Sequence, residues 1–422
     1  MYYEPAPERR RRVGRLALVR RELLFEYDAT FIATGLELSP FRLPLAPGVI
    51  AGKPDVLDGM PGVFDDSLPD GWGKLLMDRR AAELGLTGLT ALDRLALVGA
   101  RSMGALTYEP EVTIDQPAVV SLRELEDEVA LVLDGDGVDL EKLIAIGGSP
   151  KGARPKALIQ IAADGRIHYG ARAIEPGFTA WMVKFRGAGD DAHAAALEHA
   201  YFLTAAAAGI AVPHTRVLGK TKRHAGYFAI ERFDRRGDAR IHMHTLGGLY
   251  QLPHGYPTFE YADLLTTTRA LTRDEVSVRE MFRRACFNVL AHNRDDHARN
   301  FAFLMDERGE WRPSPAYDLT FSTGPGGEHT MLVAGEGRAP TREHLERVAE
   351  RAGLKQAGKV LDEVRAAIAR FPELAERAEV PAKLRRTVAS ALGLATTGAR
   401  RGTRPGGARR RRRRAGGSAR RS

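Results

Sequence analysis

Apolar positions in the first hundred residues come in short alternating or continuous stretches: LALVRRELLFEY over 16–27, YDATFIATG over 27–35 and FRLPLAPGVI over 41–50, divided by Gly, Pro and Asp. That pattern predicts strands. DDSLPDGWGKLLMDRRAAELGL (65–86) changes the period. Leu75, Leu76, Arg79 and Ala82 predict a helix after a turn, stopped near Gly85. Residues 1–110 therefore read as a strand-rich N-terminal subdomain and 111–143 as a connector with a helix over SLRELEDEVALVL (121–133). Residues 144–240 begin with a Gly-rich loop. Strands ALIQIA, IHYGAR and AWMVKFR follow, then a helix over AHAAALEHAYFLTAAAAG (192–209) and strands RVLGK and YFAIERFD. Residues 241–394 turn mostly helical, with MFRRACFNVLAHN, REHLERVAERAG, QAGKVLDEVRAAIARF and PAKLRRTVASALG. The expected fold is α+β and two-lobed: a strand-rich first half, a mostly helical C-lobe, and a polar cluster where they meet.

The 422 residues, 44% hydrophobic, suffice for two or three domains. The net charge of +9 comes from the end of the chain. Residues 400–422 hold eleven arginines and no acid, which leaves −2 for residues 1–399. A near-neutral body argues against nucleic-acid binding as the main activity. Residues 395–422, Gly/Arg-rich, are expected to be disordered, and the run Arg409–Arg414 reads either as an incidental extension or as a salt-sensitive phosphate binder. Cys286 is the only cysteine, so no internal disulfide forms, which fits a cytoplasmic protein. No apolar run reaches membrane-spanning length, and the basic N-terminus lacks the apolar run of a signal peptide.

Candidate chemistry concentrates in AHNRDDHARN (291–300). Asp295 stands five positions before Asn300, and Asp318 follows downstream in PAYDLTFS. Phosphoryl transfer from a magnesium nucleotide requires that set: one carboxylate to accept a hydroxyl proton, and an amide oxygen and a second carboxylate to hold metal. A metal-dependent hydrolase competes, because His292, Asp295, Asp296 and His297 are all potential ligands. Against it, the two histidines are five apart rather than four, and no second His-rich segment completes a site. Upstream, IGGSPKGARPK (146–156) is either a surface turn or a flap whose amides approach phosphate; it lacks Walker spacing. Lys184, inside the apolar strand WMVKF, is either a snorkelling lysine or a phosphate ligand oriented by Glu198, fourteen residues later on the next helix. Glu231, Arg232 and Phe233 end a strand at the lobe junction, where backbone and a ring can meet adenine.

GVFDDSLPDGWG, RSMGALTYEP, GGSPKGARPK, VKF with ERFDR, and DDHARNFAFL with YDL, in that order over roughly residues 13–390, resemble the HipA family of serine/threonine kinases, toxins of type II toxin–antitoxin pairs. The resemblance implies Asp295 as catalytic base, Asn300 and Asp318 as the magnesium pair, and Lys184 as phosphate ligand. It places nucleotide contacts on Lys151, Gly152, Ala153, Arg154, Pro155 and Lys156, on Glu231 to Phe233, on His297, Ala298, Arg299 and Asn300, and on Tyr317 with Asp318. Some members autophosphorylate a loop serine, which here falls on Ser149. The cofactors implied are ATP and Mg2+. The partners implied are a small helix-turn-helix antitoxin similar to HipB, DNA through that antitoxin, and a protein substrate such as the glutamyl aminoacyl-tRNA synthetase. Two positions depart from the pattern. Pro150 follows Ser149, where it is expected to stiffen the loop and to change whether Ser149 reaches the active site. Asp296 stands where some relatives have glycine, and two adjacent carboxylates would raise one pKa, so Asp296 is expected to point away from Asp295. The competing role is a degenerate kinase fold serving as corepressor in an antitoxin–DNA complex.

Overall fold

The computed structural model describes residues 1–112, 121–135, 140–147, 151–169, 173–187, 189–253 and 259–394. Ser149 and the arginine tail lie outside the described residues.

A five-stranded antiparallel sheet forms the middle of the molecule. Its strands run in the order Thr215–Leu218, Tyr227–Glu231, Phe178–Lys184, Lys156–Ala162, Ile167–Tyr169. Lys156–Ala162 is buried at every position, as a central strand covered on both faces must be. One face is covered by helices Leu122–Asp134 and Leu140–Gly147 and by helix Gly71–Glu83 from the N-terminal region. Trp72, Leu76 and Met77 pack there with Val129, Ile144, Ile159 and Trp181. The other face meets helix Ala194–Ala207, which joins the large helical core through Ala200, Tyr201 and Phe202 beside Phe282, Phe287 and Val364.

The C-terminal half is built on helices Tyr261–Thr272, Glu275–Leu290, Arg342–Arg351, Ala357–Ala369, Phe371–Arg377 and Ala382–Ala391. Asp274 caps the second of these by accepting from the Val276 and Ser277 amides. A three-stranded sheet (His242–Thr245, Ala302–Met305, Trp311–Pro313) lies between this half and the N-terminal unit. Met305 and Trp311 from it close the N-terminal core of Tyr3, Val13, Phe25, Phe31 and Phe64.

The N-terminal strand expectations hold over 16–27 and are corrected over 27–50. LALVRRELLFEY is a hairpin of strands Gly14–Val19 and Glu22–Tyr27, reversing at Arg20 and Arg21, which both take positive φ. YDATFIATG is helical over Ala29–Ile32, because Asp28 caps it by accepting from the Thr30 amide at 3.0 Å. Of FRLPLAPGVI only the end enters a strand, Val49–Ala51. No helix among the described residues is long and apolar enough to cross a membrane.

Candidate nucleotide and phosphoryl-transfer site

Sheet register sets the first part of the site. Lys156 and Lys184 are direct partners on adjacent antiparallel strands, so both side chains leave the same face. Lys184 Nζ donates to Glu198 Oε1 at 2.7 Å and to Asp318 Oδ1 at 2.6 Å. Burial alone would lower its pKa, but the two carboxylates outweigh burial and hold the ammonium charged. Lys156 lacks comparable pairing. Burial, reinforced by the charge of Lys184, lowers it to about 8.

Asp318 takes a left-handed backbone with φ 56°, uncommon for a residue with a Cβ. Its carboxylate lies deep between the lobes and keeps 41% of its surface open to the cleft. Burial raises its pKa, yet Lys184, Lys156 and His297 together bring it below the ordinary aspartate value.

The 292–300 segment leaves helix Glu275–Leu290 through a positive-φ His292 and ends in a short 3-10 turn, Ala298–Asn300. Asn300 Nδ2 donates to the Asp295 carbonyl at 2.7 Å, so the five-residue offset closes a loop. Its remaining side-chain lone pairs are on Oδ1. The Asp295 carboxylate is exposed to the cleft. Desolvation by the cleft walls, with Asp318 and Asp296, raises its pKa against the opposing pull of His297. Asp296 points away from it, as expected. It is fully buried and accepts from the Tyr261 hydroxyl at 2.6 Å, His329 Nδ1 at 2.8 Å and the Thr330 amide at 2.8 Å.

These groups line two connected spaces. The inner chamber is walled by Met103, Met182, Ile230, Phe233, Met243 and Tyr317 and reaches Lys184, Asn300 and Asp318. The Phe233 and Tyr317 rings lie against each other, centroids 5.6 Å apart, and together form an apolar wall of this chamber on which a planar base can pack. The outer cleft, about 1090 Å³, holds Asp295, His297, Lys156 and Arg154 and is roomy enough for phosphates plus an acceptor segment. Asn300 and Asp318 offer hard oxygen donors beside this junction, a fit for Mg2+, which takes few protein ligands and completes its shell with phosphate and water. Among the described residues no group of three or more His, Cys, Asp and Glu is placed to hold a metal ion by itself. His292 instead lies against Phe321, ring centroids 6.4 Å apart.

The other candidate residues divide. Glu231, Arg232 and Phe233 line the inner chamber, but the Arg232 guanidinium is engaged by Asp234 at 2.8 and 3.0 Å and its amide by the Ala180 carbonyl. Lys151, Gly152, Ala153 and Arg154 face the cleft, whereas the Pro155 carbonyl accepts from Phe185 within the sheet. Ala298 packs on the helical core. Arg299 is buried and pairs with Asp65 at 2.8 Å and Asp66 at 3.1 Å, and its carbonyl accepts from the Tyr317 hydroxyl. Sequence reasoning missed Asp65, Asp66 and Asp70. The available signal was three acids in six residues of a turn between apolar elements, which calls for partners.

Family profiles match the chain as HipA N-terminal domain over residues 9–109 and as HipA-like C-terminal domain over residues 148–371. The chain belongs to the HipA family. A Shewanella oneidensis HipA, solved in complex with HipB and its operator DNA, superposes with a TM-score of 0.64 at 18% identity, covering 90% of this chain and 92% of that one. The α+β, kinase-like fold is therefore that of HipA proteins. Two kinase-named proteins of Sinorhizobium fredii, Y4dM and Y4mE, are also similar. They are 28% identical over 173 residues and 29% identical over 134, covering 39% and 29% of this chain. The chain spans only 42% and 31% of those relatives' lengths.

Proposed function

We propose that this HipA-family protein is an ATP- and magnesium-dependent protein serine/threonine kinase acting as a toxin. The observation that carries the reading is Lys184 held between Glu198 and Asp318, in the cleft that also contains Asp295. The base occupies the inner chamber against the wall that Phe233 and Tyr317 form, and the phosphates extend past Lys184 and Lys156 under the 151–156 loop. Asp295 orients an acceptor hydroxyl and takes its proton while the oxygen bonds to the γ-phosphorus, and the bond to the bridging oxygen breaks to release ADP. Asn300 and Asp318 hold magnesium, which when bound neutralises charge on the phosphates.

The finer assignments extend the same reading. Ser149 is the proposed autophosphorylation site, an aminoacyl-tRNA synthetase such as the glutamyl enzyme the proposed target, and a HipB-like helix-turn-helix antitoxin the proposed partner. The Shewanella protein's complex with HipB and operator DNA also favours a corepressor role in DNA-bound antitoxin, and the two roles are compatible.

Incubation with labelled ATP and Mg2+ tests the kinase reading. Wild type should bind nucleotide and transfer phosphate to protein. Asp295→Gln should keep nucleotide binding and lose transfer by about a thousandfold or more. Absence of both binding and transfer in wild type sinks the reading, and transfer by Asp295→Gln at the wild-type rate removes Asp295 from it.

A further inference from the structure

The phosphate loop is not supported by its own lobe alone. We infer that the acidic turn Asp65–Asp70 of the N-terminal unit is part of the active site, as a positioning device that holds the 151–156 loop over the nucleotide and ties it to the 295–300 segment. The nucleotide role of the loop rests on the kinase reading; the clamp itself does not.

Each acid of the turn reaches across a long stretch of chain. Asp70 Oδ1 accepts from the Gly152 amide, and the Trp72 amide donates to the Gly152 carbonyl at 3.3 Å, so the turn engages both backbone groups of one loop glycine. Asp65 Oδ2 lies 3.0 Å from Lys151 Nζ and 2.8 Å from Arg299 Nη1. One carboxylate therefore joins the phosphate loop to the segment that carries Asp295 and Asn300. Asp66 completes the link by accepting from Arg299 at 3.1 Å, the Thr245 amide and hydroxyl at 2.7 Å each, and His244 Nδ1 at 2.6 Å.

Backbone packing supports the same conclusion. Gly71 takes φ +41°, and a Cβ there would come within 2.6 Å of Ala153 Cα and 2.7 Å of the Gly152 carbonyl. Gly152 takes φ +115°, and a Cβ there would collide with Lys156 Nζ. Turn and loop thus meet backbone to backbone at a pair of glycines. A glycine-rich loop left free loses much conformational entropy when it closes on a ligand. Fixing it beforehand removes that cost.

Carboxylates beside a polyphosphate are unfavourable unless their charge is already matched. Here Asp65 is matched by Lys151 and Arg299, and Asp66 by Arg299 together with the Thr245 amide and hydroxyl. The contrary possibility is that Asp70 occupies a phosphate oxygen's place on the Gly152 amide and opposes binding. The two differ in the sign of one substitution.

Asp70→Ala and Asp70→Asn in the full chain provide the test, since Asn keeps an acceptor oxygen. Hydrogen exchange of the 151–156 amides in nucleotide-free protein needs no kinase activity. It should quicken by roughly tenfold in Asp70→Ala and stay near wild type in Asp70→Asn. In kinase assays Asp70→Ala should raise KM for ATP by about tenfold with kcat nearly unchanged, and Asn should restore it. Unchanged exchange overturns the clamp, whether or not the protein proves to be a kinase. Tighter ATP binding by Asp70→Ala overturns positioning in favour of competition. A joint fall in kcat and melting temperature without rescue by Asn makes Asp70 merely structural. Clamped exchange in a wild type that neither binds nor uses ATP would instead refute the kinase reading alone.

Discussion

Asp295 and Asp296 are adjacent and identical in chemistry, and their surroundings give them separate tasks. Asp296 is enclosed by donors from Tyr261, His329, Thr330 and Met331 and fixes the segment to the 329–331 stretch and to Tyr261. Asp295 faces the cleft, and its carboxylate has no hydrogen-bond donor among the described residues; desolvation raises its pKa from the ordinary 3.8 against the charges of His297 and Arg154. Only the ionised form accepts a proton, so kcat/KM should climb with pH through an acid limb above the usual aspartate value of about 4. Lys156 sets the opposite limb. Its ammonium, lowered to about 8 by burial and Lys184, loses its charge as pH rises, and phosphate binding weakens. A bell-shaped kcat/KM profile is expected, and Lys156→Arg should flatten its alkaline side, because a guanidinium stays charged. An acid limb at or below about 4 would contradict the environment assigned to Asp295.

Among the elements, the strand Tyr227–Glu231 and the turn after it show how a local sequence can serve two purposes. ERFDR reads as a nucleotide-facing strand end, and Phe233 does face Tyr317. Asp234, however, is fully buried and binds both Arg232 and Arg235, and it accepts from the Gly104 amide at 2.7 Å. Asp234→Ala would leave two buried guanidiniums uncompensated, so urea titration should show a loss of about 3–5 kcal/mol, far more than a surface pair would give. The sequence could not reveal that coupling, because Gly104 lies 130 residues away. Legibility elsewhere follows the same division. A lysine in an apolar strand, an acid on the following helix and the Asp295–Asn300 offset are each set within a few turns of chain, and the structure brings Lys184, Glu198 and Asp318 together. The hairpin at Arg20–Arg21 was hidden, because its positive-φ turn carries none of the Asn or Gly that announce one. The acidic turn at 65–70 was visible as a motif but not as a clamp, since its partners lie at 151, 152, 245 and 299.

At the scale of the whole molecule, the seam between N-terminal unit and C-terminal half is lined by histidines. His242 lies at the seam with no exposure, its Nε2 3.0 Å from the Leu38 carbonyl and its ring against Tyr3 and Trp311. Its Nδ1 is buried without a partner among the described residues. Burial, with a small push from His244, lowers its pKa from 6.5 to about 4. The folded seam therefore binds the neutral ring, whereas the unfolded chain takes up a proton below 6.5. Between 6.5 and about 4 the unfolded state holds more protons, so stability falls as pH falls, by at most about 3 kcal/mol across that window. Above 6.5 both states are neutral and the contribution is complete. His242→Gln keeps a donor toward Leu38 and cannot titrate. Carboxylates also titrate in this range, but they do so in both proteins, so the difference between the two isolates the histidine. Thermal unfolding followed from pH 7 down to about 4.5 should show the wild type losing stability more steeply than the variant, by about 1.2 kcal/mol per pH unit where the pH is half-way between the two pKa values. Parallel pH dependence in the two proteins would mean that His242 is not held neutral at the seam, and that the N-terminal unit and C-terminal half are joined there without a proton-linked contact.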